Sequence, residues 1–334
     1  MNLGFKTMKT IQRVICLATM LWLAFGNAFG QVTFVEDNDK ILMINNEGKP
    51  VIEFPKNEDS WVVDDFKDGW GRIRVNGAYG VADEKGWIME PQEGNLFLYK
   101  GFFVVRYIGK VGVMTREGKW LLEPMEKVYD WNGSDKVVVL KYKGKFGIMD
   151  KTGWIVEPKY NEMEWYSEGM IPVNEKGKWG FFDAEGRLAI MPQFKWVRRF
   201  NEGLAGANVD GKWGFIDKTG KMVIEPAYDN IDCFFEGLAA VEVDGKWGFI
   251  DNNGKMVIEP RFTSVGIFSE GLAAFVGDEY LWGYMDKTGK VVIKPQFETA
   301  NTFDETGKAW VRIGDYETGV TGYVDRNGNF TPDK

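Results

Sequence analysis

The chain contains no histidine. That absence removes the general base of Ser-His and Cys-His nucleophile pairs and the imidazole ligands of most catalytic zinc sites. Cysteine is scarce too, with only Cys16 and Cys233 among 334 residues. Cys16 lies in an N-terminal segment that reads as a removable leader. Cys233 is then expected to stand alone, with neither a disulfide framework nor a thiolate metal cluster. Beyond the leader no apolar run approaches the roughly 20 residues a membrane-spanning helix needs. A sustained 3.6-residue periodicity is also missing, so little helix is expected. No cofactor motif is present, and stability has to come from burial within β-structure.

The leader is legible residue by residue. Lys6, Lys9 and Arg13 precede an apolar run over residues 14–25, followed by Gly26, Ala28 and Gly30 before polarity rises at Gln31. This is the order of a secretory signal peptide. It predicts export to the periplasm, cell surface or exterior, with residues 1–30 removed and residues 31–334 forming the mature array. Removal takes three bases and no acid, so Lys plus Arg falls from 41 to 38 against 49 acids, a net charge of −11. Such a surface repels phosphate backbones, so no nucleic-acid partner is expected. No membrane span is expected once the leader is gone.

The dominant feature is an internal repeat. EGLAGANVDGKWGFIDKTGKMVIEPAY, residues 202–228, and EGLAAVEVDGKWGFIDNNGKMVIEPRF, residues 236–262, are nearly the same unit. An aromatic-glycine pair recurs at steps close to 34 residues, clearest as Trp179-Gly180, Trp213-Gly214, Trp247-Gly248 and Trp282-Gly283. Tyr79 and Val111 replace the Trp in degenerate early units. A turn glycine and a proline follow each pair, for example Gly254 and Pro260. Residues 41–55 and 322–328 read as half-units at the ends, as expected of terminal caps.

Each unit reads as three antiparallel strands. Leu238–Val243 and Lys246–Asp251 flank Asp244-Gly245, a type I′ hairpin pair. A Val/Ile-rich third strand follows from Lys255 to Glu259. Pro260 is expected to end it, because proline cannot donate to a ladder. A loop or short turn is expected after the proline, carrying apolar Ile231 and Phe234 and their equivalents onto the next unit. One such sheet cannot stand alone. A buried Trp contributes roughly 4–6 kcal/mol as an upper bound. The Trp column and the column of Tyr160, Phe194, Tyr228, Phe262 and Phe297 are therefore expected to stack into one core, the glycine giving room for a close neighbour. Three strands are fewer than a propeller blade's four. An elongated curved or superhelical array is expected, with a closed propeller-like ring as the alternative.

These residues resemble the WG-repeat proteins, whose pattern G-K-W-G-[FY]-[IM]-D-x-x-G-x-x-V-I-x-P is matched closely by residues 211–226 and 245–260. The resemblance implies a bacterial repeat array with interaction roles and no shared catalytic residues, so it supplies no site to carry over.

Three residue sets remain. Aspartates that open the D-x-x-G turns read as caps of their own backbone, more than as calcium ligands. Glu168, Glu202, Glu236 and Glu270 recur once per unit. A glycosidase pair is singular, so recurrence marks them as turn or sheet-end residues. The residues that break the period are the candidates for function. Seven positions after each proline stand Trp165, Arg199, Cys233, Ile267 and Thr302. With Trp196 and Arg198 beside them, Trp165 and Arg199 are the predicted binding residues, since Trp and Arg anchor interfaces and stack on sugars. Cys233 reads as a packed small apolar residue. The expected function is non-catalytic binding of a protein or glycan. A carboxylate-based glycan hydrolase and a structural spacer are the alternatives.

Overall fold

The computed structural model describes residues 32–333 apart from 65, 67–68, 100, 108, 126–127, 135, 278–279 and 316. The predicted leader lies outside the described residues. No α-helix occurs among them, and their sheets are built from β-strands. Nine antiparallel sheets follow one another, three-stranded at Val32–Pro55 and Leu272–Phe297 and four-stranded elsewhere, each with its strands in neighbouring order. Packing groups the described residues into two compact units. One gathers those of Met1–Asp130, Ser134–Gly144 and Met149–Trp154, the other those of Trp131–Gly133, Lys145–Ile148 and Ile155–Lys334.

In the second unit the clearest sheet runs Asn230–Phe235, Leu238–Val243, Lys246–Asp251 and Met256–Phe262. The three expected strands are present, and Asp244 and Gly245 both take the positive φ of a type I′ turn, 50° and 73°. The structure departs from expectation in two ways. The segment predicted as a loop, Asn230–Phe235, is a fourth strand. Glu236-Gly237 joins it to the sheet through a second two-residue turn with φ of 52° and 83°. Glutamate is an unusual residue for that position, which hid the hairpin. Four strands match the count of a propeller blade, so strand number no longer separates an open array from one. The second departure is Pro260, which lies within the strand Met256–Phe262 rather than ending it. Trp247 pairs with Phe262 and Phe249 with Ile258, so Glu259, Pro260 and Arg261 bulge opposite Gly248. An outer strand with a bulge is where proline is tolerated.

That bulge explains the invariant partner of the indole. A Cβ on Gly248 would lie 2.4 Å from the Ile258 carbonyl oxygen and 2.7 Å from Pro260 N, and one on Gly214 would lie 2.3 Å from the Ile224 oxygen. The close neighbour is backbone rather than an aromatic ring. Gly112, beside Val111, meets Leu122 O and Pro124 N in the same way at 2.9 and 2.8 Å.

The core also differs from the expected Trp stack. Trp213, Trp247 and Trp282 are half-buried at the rim, packed against clusters they do not centre. The buried centre is the ring two residues later. Phe181, Phe215, Phe249 and Tyr284 pack against Phe200, Phe234, Phe268 and Phe303 of the following segment, with centroids 5.0, 4.8, 4.8 and 4.8 Å apart, edge-on except for the tilted Phe215–Phe234 pair. Such geometry adds about 0.5–1.5 kcal/mol per pair beyond area burial. Each cluster lies between one sheet and the next. Phe215 and Ile224 thus join Ile231, Phe234 and Val241. The first unit repeats this, Met43, Ile52 and Phe54 meeting Phe66, Ile73 and Ala82.

Candidate binding cleft

The second unit carries a cleft of about 470 Å³ lined by Glu164, Trp165, Pro172, Trp179, Trp196, Val197, Arg198, Arg199, Asp232 and Cys233. All four predicted binding residues, Trp165, Trp196, Arg198 and Arg199, are among them.

The repeat explains why they converge. Val197 pairs with Ala207 and Phe200 with Ala205, which leaves Arg198 and Arg199 as two residues opposite Gly206. One sheet later Ile231 pairs with Val241 and Phe234 with Ala239, leaving Asp232 and Cys233 opposite Ala240. One sheet earlier Met163 pairs with Val173, and Glu164 donates its N–H to the Pro172 carbonyl, so Glu164 and Trp165 hold the matching positions. A β-bulge twists its strand and re-aims side chains. Two consecutive bulges and the matching segment just beyond Met163 therefore deliver Arg198-Arg199, Asp232-Cys233 and Glu164-Trp165 to one surface.

Inner phenylalanines hold this surface from behind while its front stays in water. Trp165 and Trp196 are each 53% exposed. The Trp196 ring lies against buried Trp179, centroids 6.4 Å apart and planes inclined at 32°. The Arg198 guanidinium lies 5.4 Å from the Trp213 ring centre. Gly206 provides room for Arg198, since a Cβ there would meet Arg198 Cγ at 3.0 Å and Ile231 Cδ1 at 2.4 Å. Among the described residues neither Arg198 nor Arg199 is ion-paired with a carboxylate. Partial desolvation, then the neighbouring Glu162, pushes the carboxyl of surface-exposed Glu164 up. Cys233 is 7% exposed, with its thiol donating to the Arg199 carbonyl at 3.7 Å. Burial above all, with Asp232 adding, pushes that thiol up and away from thiolate chemistry.

Sequence reasoning left Glu164, Pro172, Trp179 and Asp232 of this lining unmarked, along with Gly206 beside Arg198. Glu164 and Asp232 occupy the Arg198 position in neighbouring units, Gly206 stands where Ala240 does, and Trp179 looks like an ordinary repeat indole. Comparing columns would have found Glu164, Asp232 and Gly206, since each breaks the period. Trp179 gives no such mark.

The recurring acids have other employment. Glu168, Glu202 and Glu236 accept the N–H of Gly203, Gly237 and Gly271, one unit on, at 3.0, 2.9 and 3.0 Å. Lys218 pairs with Glu168, Lys287 with Glu236 and Arg326 with Glu270. The turn aspartates bond their own backbone. Asp217 Oδ1 accepts from Thr219 N–H, Thr219 Oγ and Lys221 N–H at 2.9, 2.6 and 3.1 Å, and its carboxyl is held below the ordinary range, with the Thr219 hydroxyl the leading cause. Among the described residues no group of three or more acidic or cysteine side chains is arranged to hold a metal ion.

Fold and cleft together define a tandem β-sheet repeat protein with one surface built from its aperiodic positions. The WG containing repeat matches residues 146–179, 179–213, 213–247, 247–276 and 282–316, and the chain belongs to the WG-repeat family. No curated protein matches it. Among solved structures it is similar to a eukaryotic initiation factor (10% identity, TM-score 0.47, covering 89% of this chain and 94% of that one). It is also similar to BamB from Moraxella catarrhalis (11% identity, TM-score 0.37, covering 89% and 98%). A third is the C-terminal WD40 domain of Sif2 (12% identity, TM-score 0.36, covering 68% and 79%). No described helix is long and apolar enough to cross a membrane.

Proposed function

We propose that this chain is an exported, non-catalytic repeat protein that holds a protein or glycan ligand in the cleft over Trp165, Trp196, Arg198 and Arg199. One observation carries the reading. The repeating positions build the frame, and aperiodic residues at matching positions of three successive sheets, two of them bulged, meet at one cleft. A spacer has no need of exposed indoles beside guanidinium groups that no carboxylate neutralises by an ion pair. The frame suits binding because each bulge is clamped by buried rings on one face, so little order has to be gained when a ligand arrives.

The purified chain, immobilised and exposed to an envelope extract of proteins and glycans, is expected to retain a component that a Trp165→Ala, Trp196→Ala, Arg199→Ala variant does not. Equal retention by both contradicts the reading.

A hydrolase reading has one observation in its favour. Glu164 and Asp232 both line the cleft, and the raised Glu164 carboxyl has the character of a general acid. It predicts release of reducing ends from oligosaccharides, abolished by Glu164→Gln. A binding protein releases none.

A further inference from the structure

We infer that the cleft takes a neutral pyranose oligosaccharide; this deepens the binding reading above and rests on it. Pyranose rings present apolar C–H faces edged by hydroxyls that both donate and accept. A site for them needs exposed aromatic planes next to planar side chains of both kinds. The cleft supplies both. Trp165 and Trp196 are half exposed, and Trp196 is backed by Trp179, which fixes the plane it offers. Arg198 and Arg199 offer only donors, while Glu164 and Asp232 offer only acceptors while ionised. A volume near 470 Å³ lies within the roughly 300–1,000 Å³ of small-ligand sites.

Charge decides against an acidic ligand. The two arginines of the middle segment are flanked by Glu164 on one side and Asp232 on the other, so the lining is formally neutral, within a chain of net charge −8. Nothing in it selects a polyanion. Backbone geometry decides against a peptide added as a strand. Trp196–Asn201 is the outer member of its sheet, but its ladder is interrupted at Arg198-Arg199, where strand addition would need regular pairing.

The test is calorimetric titration of the purified chain with cellohexaose, laminarihexaose, maltoheptaose, xylohexaose, mannohexaose and chitohexaose, with polygalacturonate as the acidic probe. At least one neutral oligosaccharide is expected to bind, with affinity changing little between about 0.05 and 0.5 M salt, because no net charge is neutralised. Trp196→Ala and, separately, Arg199→Ala are expected to weaken it about tenfold or more, with melting temperatures within a few degrees of the parent because both side chains are exposed. Binding of polygalacturonate alone, or of none of the sugars, overturns the inference. If the extract experiment still yields a component whose retention depends on the cleft, the binding reading stands without the sugar. If neither experiment shows cleft dependence, both fall.

Discussion

At the scale of single residues, the glycine after each indole carries more of the fold than the indole does. Trp213, Trp247 and Trp282 flank their clusters from a half-buried rim, whereas the glycine opposes a three-residue bulge and the carbonyl before it, which leave no room for a methyl group. Gly248→Ala would place a Cβ 2.4 Å from the Ile258 oxygen, and backbone on both sides cannot move aside as a flexible side chain could. A loss of more than about 2 kcal/mol is expected, in the range of severe core lesions. Trp247→Phe should cost less, since it keeps an aromatic at the rim. Urea unfolding of the two variants orders the two effects, and a larger loss from Trp247→Phe would reverse the account. The glycine was legible as needing space. What fills the space was not, because a bulge in a partner strand leaves its trace in the Ile-Glu-Pro of another segment and not beside the glycine.

At the scale of elements, neighbouring sheets are joined by a repeated clamp. A glutamate in a left-handed turn carries conformational strain of about 1–3 kcal/mol, and its carboxylate bonds the matching turn one unit on. At Glu236 burial opposes the charge. The Lys287 ammonium and the Gly271 N–H outweigh it and hold the carboxyl below its ordinary range. A carboxyl depressed in the fold stabilises above its unfolded value of about 4.3, and that contribution is lost as pH falls through the folded value. Glu236→Gln is therefore expected to be less stable than the parent at pH 7, by under about 1 kcal/mol because the pair is partly exposed. The gap should close in acid below about pH 4. Melting curves across pH check this, and a gap that stays constant into acid would remove the carboxylate from the clamp. The hairpin containing Glu236 leaves little trace in the sequence because Glu-Gly is not a familiar turn pair, whereas Asp244-Gly245 is familiar and marks its own turn and the strands on either side of it.

At the scale of the molecule, periodicity separates the frame from the residues that the proposed binding role rests on. What recurs builds sheets and the clusters between them, and the cleft joins recurring Trp179 to the period-breaking Trp165, Trp196, Arg198 and Arg199. This is why the sequence exposed Trp165, Trp196, Arg198 and Arg199 while leaving Glu164, Asp232 and Gly206 unmarked. The first four stand out by residue type, whereas the others emerge only when aligned positions are compared and the bulge is known. The most direct test exchanges the aperiodic pair of one unit for the pair another unit carries. Gly266 and Ile267 stand where Arg198 and Arg199 do, so a chain with Arg198→Gly and Arg199→Ile asks whether the frame is indifferent to those positions while the ligand is not. Retention of the envelope component on this chain, measured beside its melting temperature, gives the answer. The account predicts a melting temperature within a few degrees of the parent, as for surface substitutions, and lost retention. Undiminished retention, or a chain that no longer folds, would contradict it.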